Sequence, residues 1–364
     1  MNLSALLQSR LSLITPRLVK RKPRFLIRAF SRLISQKVLN RDGIRAVLFH
    51  SHYKCNLNCE HCYEKNFLRT DEEPLSLDEK QRIIAECLEL GVLSFDFVGG
   101  ETSLDPTFPE LVKACRPEKT YLTLATNGYN IAEDKIKYFL DIGIDKLNIS
   151  IDSWYSEVHD AFRGKKGCHA SVFRTIELCR KTGMGANFCM VVYRDYTKTE
   201  DFKKIVEYVI NNKIRLGFIP AVPLGKWETS HDKLITPEDS DAMLKLHKKY
   251  PLLFTSDSYA NRNCGCPAFS ELLTITAYGD VLPCNFIHIS FGNLRRESLK
   301  SILKKSCKIK YFDGHHVGCL AAEDKEFIDS YLSKTYGVDQ YPVKAEDVFP
   351  ELKADFNQMD GVLK

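Results

Sequence analysis

From Ala46 onward, short apolar runs alternate with longer stretches of helical period, and the alternation repeats six times. The runs Ala46–His50, Ser94–Val98, Tyr121–Ala125, Lys146–Ile151, Ala186–Val192 and Ile214–Ile219 are rich in Val, Ile, Leu and Phe. Strands buried on both faces read this way. Between them, 77–90, 131–142, 170–182 and 199–211 carry the helical pattern. Such alternation predicts a parallel sheet, either doubly wound or curved into a barrel. Pro220–Pro251 breaks the rhythm as a Pro- and Gly-punctuated connection leading into a helix near 237–249. Beyond it, Leu272–Thr276 and Val281-Leu282 flank the turn Tyr278-Gly279-Asp280 as a hairpin, and a helix is expected over 296–306.

Before Arg45 the pattern is different. Arg24, Arg28 and Arg32 recur every four residues, with Leu26, Ile27, Phe30, Leu33 and Ile34 on the other side, which predicts a basic amphipathic helix over 24–39. The net charge of +5 hides this asymmetry. Residues 1–45 hold eleven Lys or Arg and one acid, leaving 41 of the 52 basic and 46 of the 47 acidic side chains on the mildly acidic remainder. Such a helix packs its apolar face on the body or lies on an anionic membrane surface. An Arg-rich, acid-poor start also has the composition of a mitochondrial transit peptide. No apolar run approaches the roughly 20 residues of a membrane span. At 44% hydrophobic and 27% charged, the whole chain has the composition of ordinary globular protein, and nothing in it points to nucleic acid.

Thirteen cysteines are many for a chain without an apparent secretory signal. Cys87, Cys115, Cys168, Cys179 and Cys189 fall in predicted helices or strands, where a free Cys is usually a small buried hydrophobe. The other eight cluster around 55–62 and 264–319, which suggests metal binding in a reducing, cytoplasmic compartment. Cys55, Cys59 and Cys62 lie within eight residues and Tyr63 follows directly. Three thiolates on one loop suit zinc, copper or an iron–sulfur cluster. For zinc, His61 or His52 could complete the set.

The loop follows the first predicted strand. Gly99-Gly100-Glu101 follows the second, Thr126-Asn127-Gly128 the third, and the fourth ends in Ser150-Ile151-Asp152. In parallel α/β folds the loops at the carboxyl ends of the strands share one face, where ligands bind. Four strands therefore deliver special residues to one site.

This constellation, over about residues 45–325, resembles the radical S-adenosylmethionine (SAM) enzymes, through the CxxxCxxC followed by an aromatic and through Gly99-Gly100-Glu101. The resemblance implies a partial (β/α)6 barrel of the TIM type with a small cysteine-rich α+β extension. It divides the chain into an N-terminal arm (1–44), the barrel core (45–225), a connection (226–258), the extension (259–325) and a C-terminal tail (326–364). It implies that Cys55, Cys59 and Cys62 hold three irons of a [4Fe–4S] cluster whose fourth iron takes SAM. Gly99, Gly100 and Glu101 would meet the SAM amino group. Thr126, Asn127, Ser150 and Asp152 would lie near its ribose and methionine parts, and the backbone around Tyr63 near its adenine. Arg163 would pair with its carboxylate; the plain alternatives are a surface salt bridge for Arg163 and a helix cap for Asp152. Thr102 departs from the proline usual after this motif.

Cys264, Cys266, Cys284 and Cys319 are similar to the ligands of the twitch or SPASM extension, and four of them imply one auxiliary [4Fe–4S] cluster. Cys307, on a lysine-rich helix end, reads as a bystander. The resemblance also implies a flavodoxin- or ferredoxin-type electron donor and a peptide, lipid or other small-molecule substrate. Where some peptide-oxidising relatives have an acidic base beside the hairpin cysteine, this chain has Asn285. His288, Tyr193, Glu228, His315 and His316 are candidates for the substrate side. A non-catalytic iron–sulfur scaffold or electron carrier is the alternative reading.

Overall fold

The computed structural model of the chain describes residues 16–39, 43–255, 266–313 and 316–353. Cys264 and His315 lie outside the described residues. Six parallel strands form where the apolar runs predict them: β1 Ala46–His50, β2 Ser94–Val98, β3 Tyr121–Thr126, β4 Lys146–Ser150, β5 Gly185–Val192 and β6 Arg215–Pro220. A seventh, β7 Leu253–Thr255, pairs parallel with β6 and puts sheet structure where only a connection was expected. The hairpin strands β8 Leu272–Ile275 and β9 Val281–Leu282 join the other edge, β8 parallel to β1 and β9 antiparallel to β8. The order β7-β6-β5-β4-β3-β2-β1-β8-β9 is linear, so the α/β sheet is an open, partial barrel.

One face of the sheet forms the apolar core, while alternate positions such as Asp96, Asn148 and Cys189 on the other face are only partly buried. Val47, Phe49, Phe95, Phe97, Leu122, Leu124, Leu147, Ile149, Phe188, Met190, Leu216 and Phe218 are fully enclosed, each contributing about 1.5–3 kcal/mol through burial. The predicted helices form as Leu77–Glu89, Glu133–Ile142, Cys168–Thr182, Glu200–Asn211, Pro237–Lys249 and Leu299–Ser306. Ser76 and Glu79 start the first of these with a capping box. Three shorter helices, Phe108–Ala114, Ser156–Arg163 and Lys325–Ser330, add to the set. The expected tail is packed structure as far as 353, with Val343-Lys344 pairing parallel to Ile289-Ser290.

The arm forms helices Pro16–Arg21 and Pro23–Leu39. Its inward contacts are both apolar and polar: Leu18 is buried, Phe25 lies against Tyr121, and Lys22 pairs with Asp145 and donates to the carbonyls of Thr120 and Gly143 at 2.9 and 3.2 Å. Ile27 and Phe30 face outward, 69% and 64% exposed. The carbonyls at the starts of β3 and β4 need donors, and Lys22 and Arg28 supply them, which leaves Ile27 and Phe30 turned outward.

Candidate functional site

The loop from Cys55 to Tyr63 is held by backbone on both sides. Asn58 and Glu60 donate their N–H groups to the carbonyls of Arg163 and Phe162 at 3.3 and 2.8 Å. Gly164 and Gly225, both in the left-handed region at φ +67° and +60°, press against it. A Cβ at Gly164 would lie 2.7 Å from the Asn58 oxygen, and one at Gly225 2.8 Å from the Cys62 oxygen. Only glycine permits both the backbone angle and the approach.

The loop after β2 locks into the same backbone. Gly100 N–H donates to His52 O at 3.2 Å and Glu101 N–H to Lys54 O at 2.8 Å. A Cβ on Gly100 would sit 2.1 Å from the Lys54 oxygen, which makes this the tightest demand for glycine in the site. Glu101 is buried and accepts from Thr126 Oγ1 (2.9 Å), Ser103 Oγ (2.7 Å) and the Asn127 N–H (2.9 Å). Burial outweighs these bonds and raises its carboxyl pKa. Asn127 Nδ2 donates to Asn56 Oδ1 at 2.8 Å and lies 3.9 Å from Cys55 Sγ. The loops after β1, β2 and β3 are thus one hydrogen-bonded unit.

The loop after β4 joins through Arg163. Its Nε and Nη2 donate to Asp152 Oδ2 and Oδ1 at 2.5 and 2.9 Å, and Nη1 faces Cys59 Sγ at 3.7 Å. Burial pushes the Asp152 carboxyl up, but Arg163 outweighs it and holds the carboxyl below its usual range. Both edges of the guanidinium are therefore engaged inside the protein. Ser150 ends β4 half-buried.

Aromatic rings wall the loop. His61 stacks on Phe162 at 4.8 Å and lies 5.9 Å from Trp227. Burial first, then the Arg163 charge, lower its pKa to about 4, so the imidazole is neutral. Behind it, Asn285 Nδ2 donates to Tyr63 OH at 2.5 Å, and His50 Nε2 lies 2.7 Å from Asn285 Oδ1. His50 Nδ1 is 3.2 Å from Glu64 Oε2, close enough for an ion pair though not aligned as a hydrogen bond. His288 is enclosed by Tyr63, Phe67 and Tyr341, and burial lowers its pKa to about 3. Glu228 is occupied, accepting from Tyr341 OH and the Gly337 N–H. His316 pairs with Asp324 at 3.3 Å, and Tyr193 stacks on Tyr196 at 4.6 Å.

The second region draws on distant segments. Cys266 opens the described stretch 266–313, Cys284 follows β9, and Cys319 precedes a turn in which its carbonyl accepts three N–H groups. Burial raises all three thiols, and charge interactions link Cys284 with both Cys266 and Cys319. The fold therefore gathers three of the four expected auxiliary residues. Cys307 is exposed at the end of Leu299–Ser306.

Among the described residues, no three His, Cys, Asp or Glu side chains close on a point as ligands of a single metal ion would. The ligands of a cluster each take a different iron and need no such convergence. The donor set fits a cluster in another respect. Arg163 Nη1 lies 3.7 Å from Cys59 Sγ, Asn127 Nδ2 3.9 Å from Cys55 Sγ, and the Phe286 N–H donates to Cys284 Sγ at 3.4 Å. Such donors are not confined to these loops, since Asn187 Nδ2 lies 3.4 Å from Cys189 Sγ in β5. N–H donors on sulfur are what an anionic iron–sulfur centre calls for. Gly164, Gly225, Trp227, Asn56 and the His50–Asn285–Tyr63 chain escape sequence reasoning. Only the glycines leave a trace there, as ordinary turn residues.

The sequence matches the model of the radical SAM superfamily over residues 51–209 and that of an iron–sulfur cluster-binding domain, SPASM, over 264–326. GTP 3′,8-cyclase of Clostridium perfringens is 30% identical over 203 residues, which is 54% of this chain and 60% of that enzyme. The match thus spans less than two thirds of that relative. PqqA peptide cyclase of Rhizobium meliloti is 24% identical over 286 residues, 74% of this chain and 76% of that one. The crystal structure of anSMEcpe with bound AdoMet and Cp18Cys peptide superposes with a TM-score of 0.56 at 19% identity, over 88% of this chain and 99% of that one. This chain belongs to the radical SAM superfamily and carries a C-terminal SPASM iron–sulfur domain.

Proposed function

We propose that this chain cleaves SAM reductively and uses the product to abstract hydrogen from a peptide. The observation that carries the first part is the single hydrogen-bonded unit formed by the Cys55–Cys62 loop, Glu101 and Thr126-Asn127. A [4Fe–4S] cluster bound there would supply the one electron that reductive cleavage of the SAM sulfonium to methionine and a 5′-deoxyadenosyl radical requires. Cys55, Cys59 and Cys62 would hold three of its irons. Glu101, whose buried carboxyl gains from a cationic neighbour, would take the SAM amino group. Asn127 and Ser150 line the approach, while the Asp152–Arg163 pair fixes the cysteine loop from behind. The backbone at Tyr63 and the neutral face of His61 supply an apolar wall for adenine. Cys264, Cys266, Cys284 and Cys319 would hold one auxiliary [4Fe–4S] cluster, with electrons delivered by a flavodoxin or ferredoxin. Enclosing these groups keeps water and stray hydrogen donors away.

A peptide is favoured as substrate because PqqA peptide cyclase aligns over 74% of this chain and 76% of its own length; AdoMet-dependent heme synthase aligns over 68% and 78%, so a tetrapyrrole is the competing class. Asn285, an amide already committed to His50 and Tyr63, is no proton acceptor, so a substrate that must shed a proton needs another base. Anaerobic reconstitution followed by SAM and dithionite should yield 5′-deoxyadenosine by mass spectrometry. An iron-loaded protein that forms none is the scaffold or electron carrier of the alternative reading. Stimulation of that product by nucleotides or lipid vesicles and not by peptides would overturn the substrate class.

A further inference from the structure

The N-terminal arm presents an outward face that the catalytic reading leaves unused. Its inner side is fixed by polar contacts: Lys22 as described, Arg21 Nη2 to Leu140 O at 2.7 Å, and Arg28 to the carbonyls of Lys119 (2.9 Å) and Val92 (3.3 Å). Phe25 lies against Tyr121 at 5.9 Å. Its outer side carries Val19, Ile27 and Phe30, exposed by 49%, 69% and 64%, beside the exposed cations Lys20 and Arg24. Arg24 and Ile27, three residues apart on the helix Pro23–Leu39, are neighbours on its surface, so a cation borders the exposed apolar groups.

We propose that this face docks on an anionic lipid bilayer. Apolar side chains ringed by cations suit a membrane interface, where the former enter the acyl boundary and the latter meet the headgroups. The charge balance points the same way. Residues 1–45 carry eleven basic groups and one acid, whereas the remainder holds 46 acids against 41 bases. Electrostatics therefore draw the arm to an anionic surface and turn the body away. Arm-to-arm pairing of two copies would oppose like charges, and a nucleic-acid phosphate would leave Ile27 and Phe30 in water. Among the described residues no helix is long and apolar enough to cross a membrane, so the contact is peripheral.

The arm's contacts at Val92, Lys119, Thr120 and Asp145 precede β2, β3 and β4, whereas Cys55, Glu101 and Thr126 lie at or beyond the strand ends. A docked enzyme consequently turns its site to the aqueous phase. Substrate then arrives from solution and not from the bilayer.

Vesicle flotation of the full chain tests this. The protein should float with phosphatidylcholine vesicles containing phosphatidylglycerol, stay in solution with pure phosphatidylcholine, and be released by salt. Ile27→Ser/Phe30→Ser and Lys20→Glu/Arg24→Glu should each lose flotation without a change in melting temperature or in 5′-deoxyadenosine yield. Phe30→Trp should keep flotation and show a blue shift in emission on the anionic vesicles. A wild-type chain that binds neither vesicle, or an Ile27→Ser/Phe30→Ser variant that floats undiminished, overturns the proposal. So does a concentration-dependent dimer, or RNA binding, that these substitutions abolish while vesicles have no effect.

Discussion

The two cysteine regions are built by opposite strategies. Cys55, Cys59 and Cys62 share one loop after a single strand, held by neighbouring backbone and by glycines at two points of contact. Cys266, Cys284 and Cys319 come from separate segments and meet only because the hairpin and the C-terminal part pack together. Local geometry specifies the first group and tertiary packing the second. The first should therefore fail through its backbone, and the second through loss of the core around it.

Exchanging cysteines is the largest perturbation of that contrast. Cys55→Ala/Cys59→Ala/Cys62→Ala should abolish 5′-deoxyadenosine formation and leave the fold intact, with about four irons retained at the second region. Cys284→Ala/Cys319→Ala should lose that iron and lower the melting temperature more, because both residues belong to or pack on the main core. Cys59, in contrast, is buried only in a small cluster with Leu57 and Cys168, and Cys55 is exposed. Equal melting temperatures for the two variants, read by circular dichroism, would erase the distinction.

Gly225→Ala comes next. Its Cβ would lie 2.8 Å from the Cys62 oxygen at φ +60°, a strain of about 1–3 kcal/mol. Iron at the first site should fall while the second keeps its share, as metal analysis and urea denaturation would show.

Arg163→Gln probes the charged donor on Cys59. Losing a charge-assisted N–H···S bond worth about 1.5 kcal/mol should lower the one-electron potential of the first centre by on the order of 60 mV. Potentiometric EPR should find the second centre unmoved, and an unshifted first centre would remove Arg163 from the tuning of that site.

The smallest effect lies where the two halves meet. Arg295 Nε donates to Glu79 Oε1 at 2.7 Å and thereby holds the Glu79 carboxyl at about 2. A depressed carboxyl stabilises the fold fully above its ordinary value of 4.5 and ceases to do so as pH falls toward about 2. The pair is half-exposed, so its contribution is below about 1 kcal/mol. The urea midpoints of wild type and Arg295→Met should differ at neutral pH and converge in acid.

Most strand bounds were legible because each strand brings large apolar residues to the core face at alternate positions over a short stretch. Leu253–Thr255 was not, since three residues carry no period. Phe108–Ala114, at seven residues, spans only about two helical turns, with Pro109 in its first turn. The arm shows a different limit: periodicity separates its two faces, but the outward turn of Ile27 and Phe30 was decided by carbonyls at the strand starts. In the site, Cys55, Glu101 and Asn127 stand in recognisable motifs. The His50–Asn285–Tyr63 chain joins residues more than 200 positions apart, and no local pattern encodes it.

The pairing of β8 with β1 carries a structural consequence. Without it, the strand that leads into the cysteine loop would border the sheet with a row of unpaired N–H and C=O groups, an invitation to intermolecular pairing. The C-terminal part is thus a splint for β1 as well as a second cysteine centre. A chain cut after β7 should aggregate through that edge before any question of its chemistry arises.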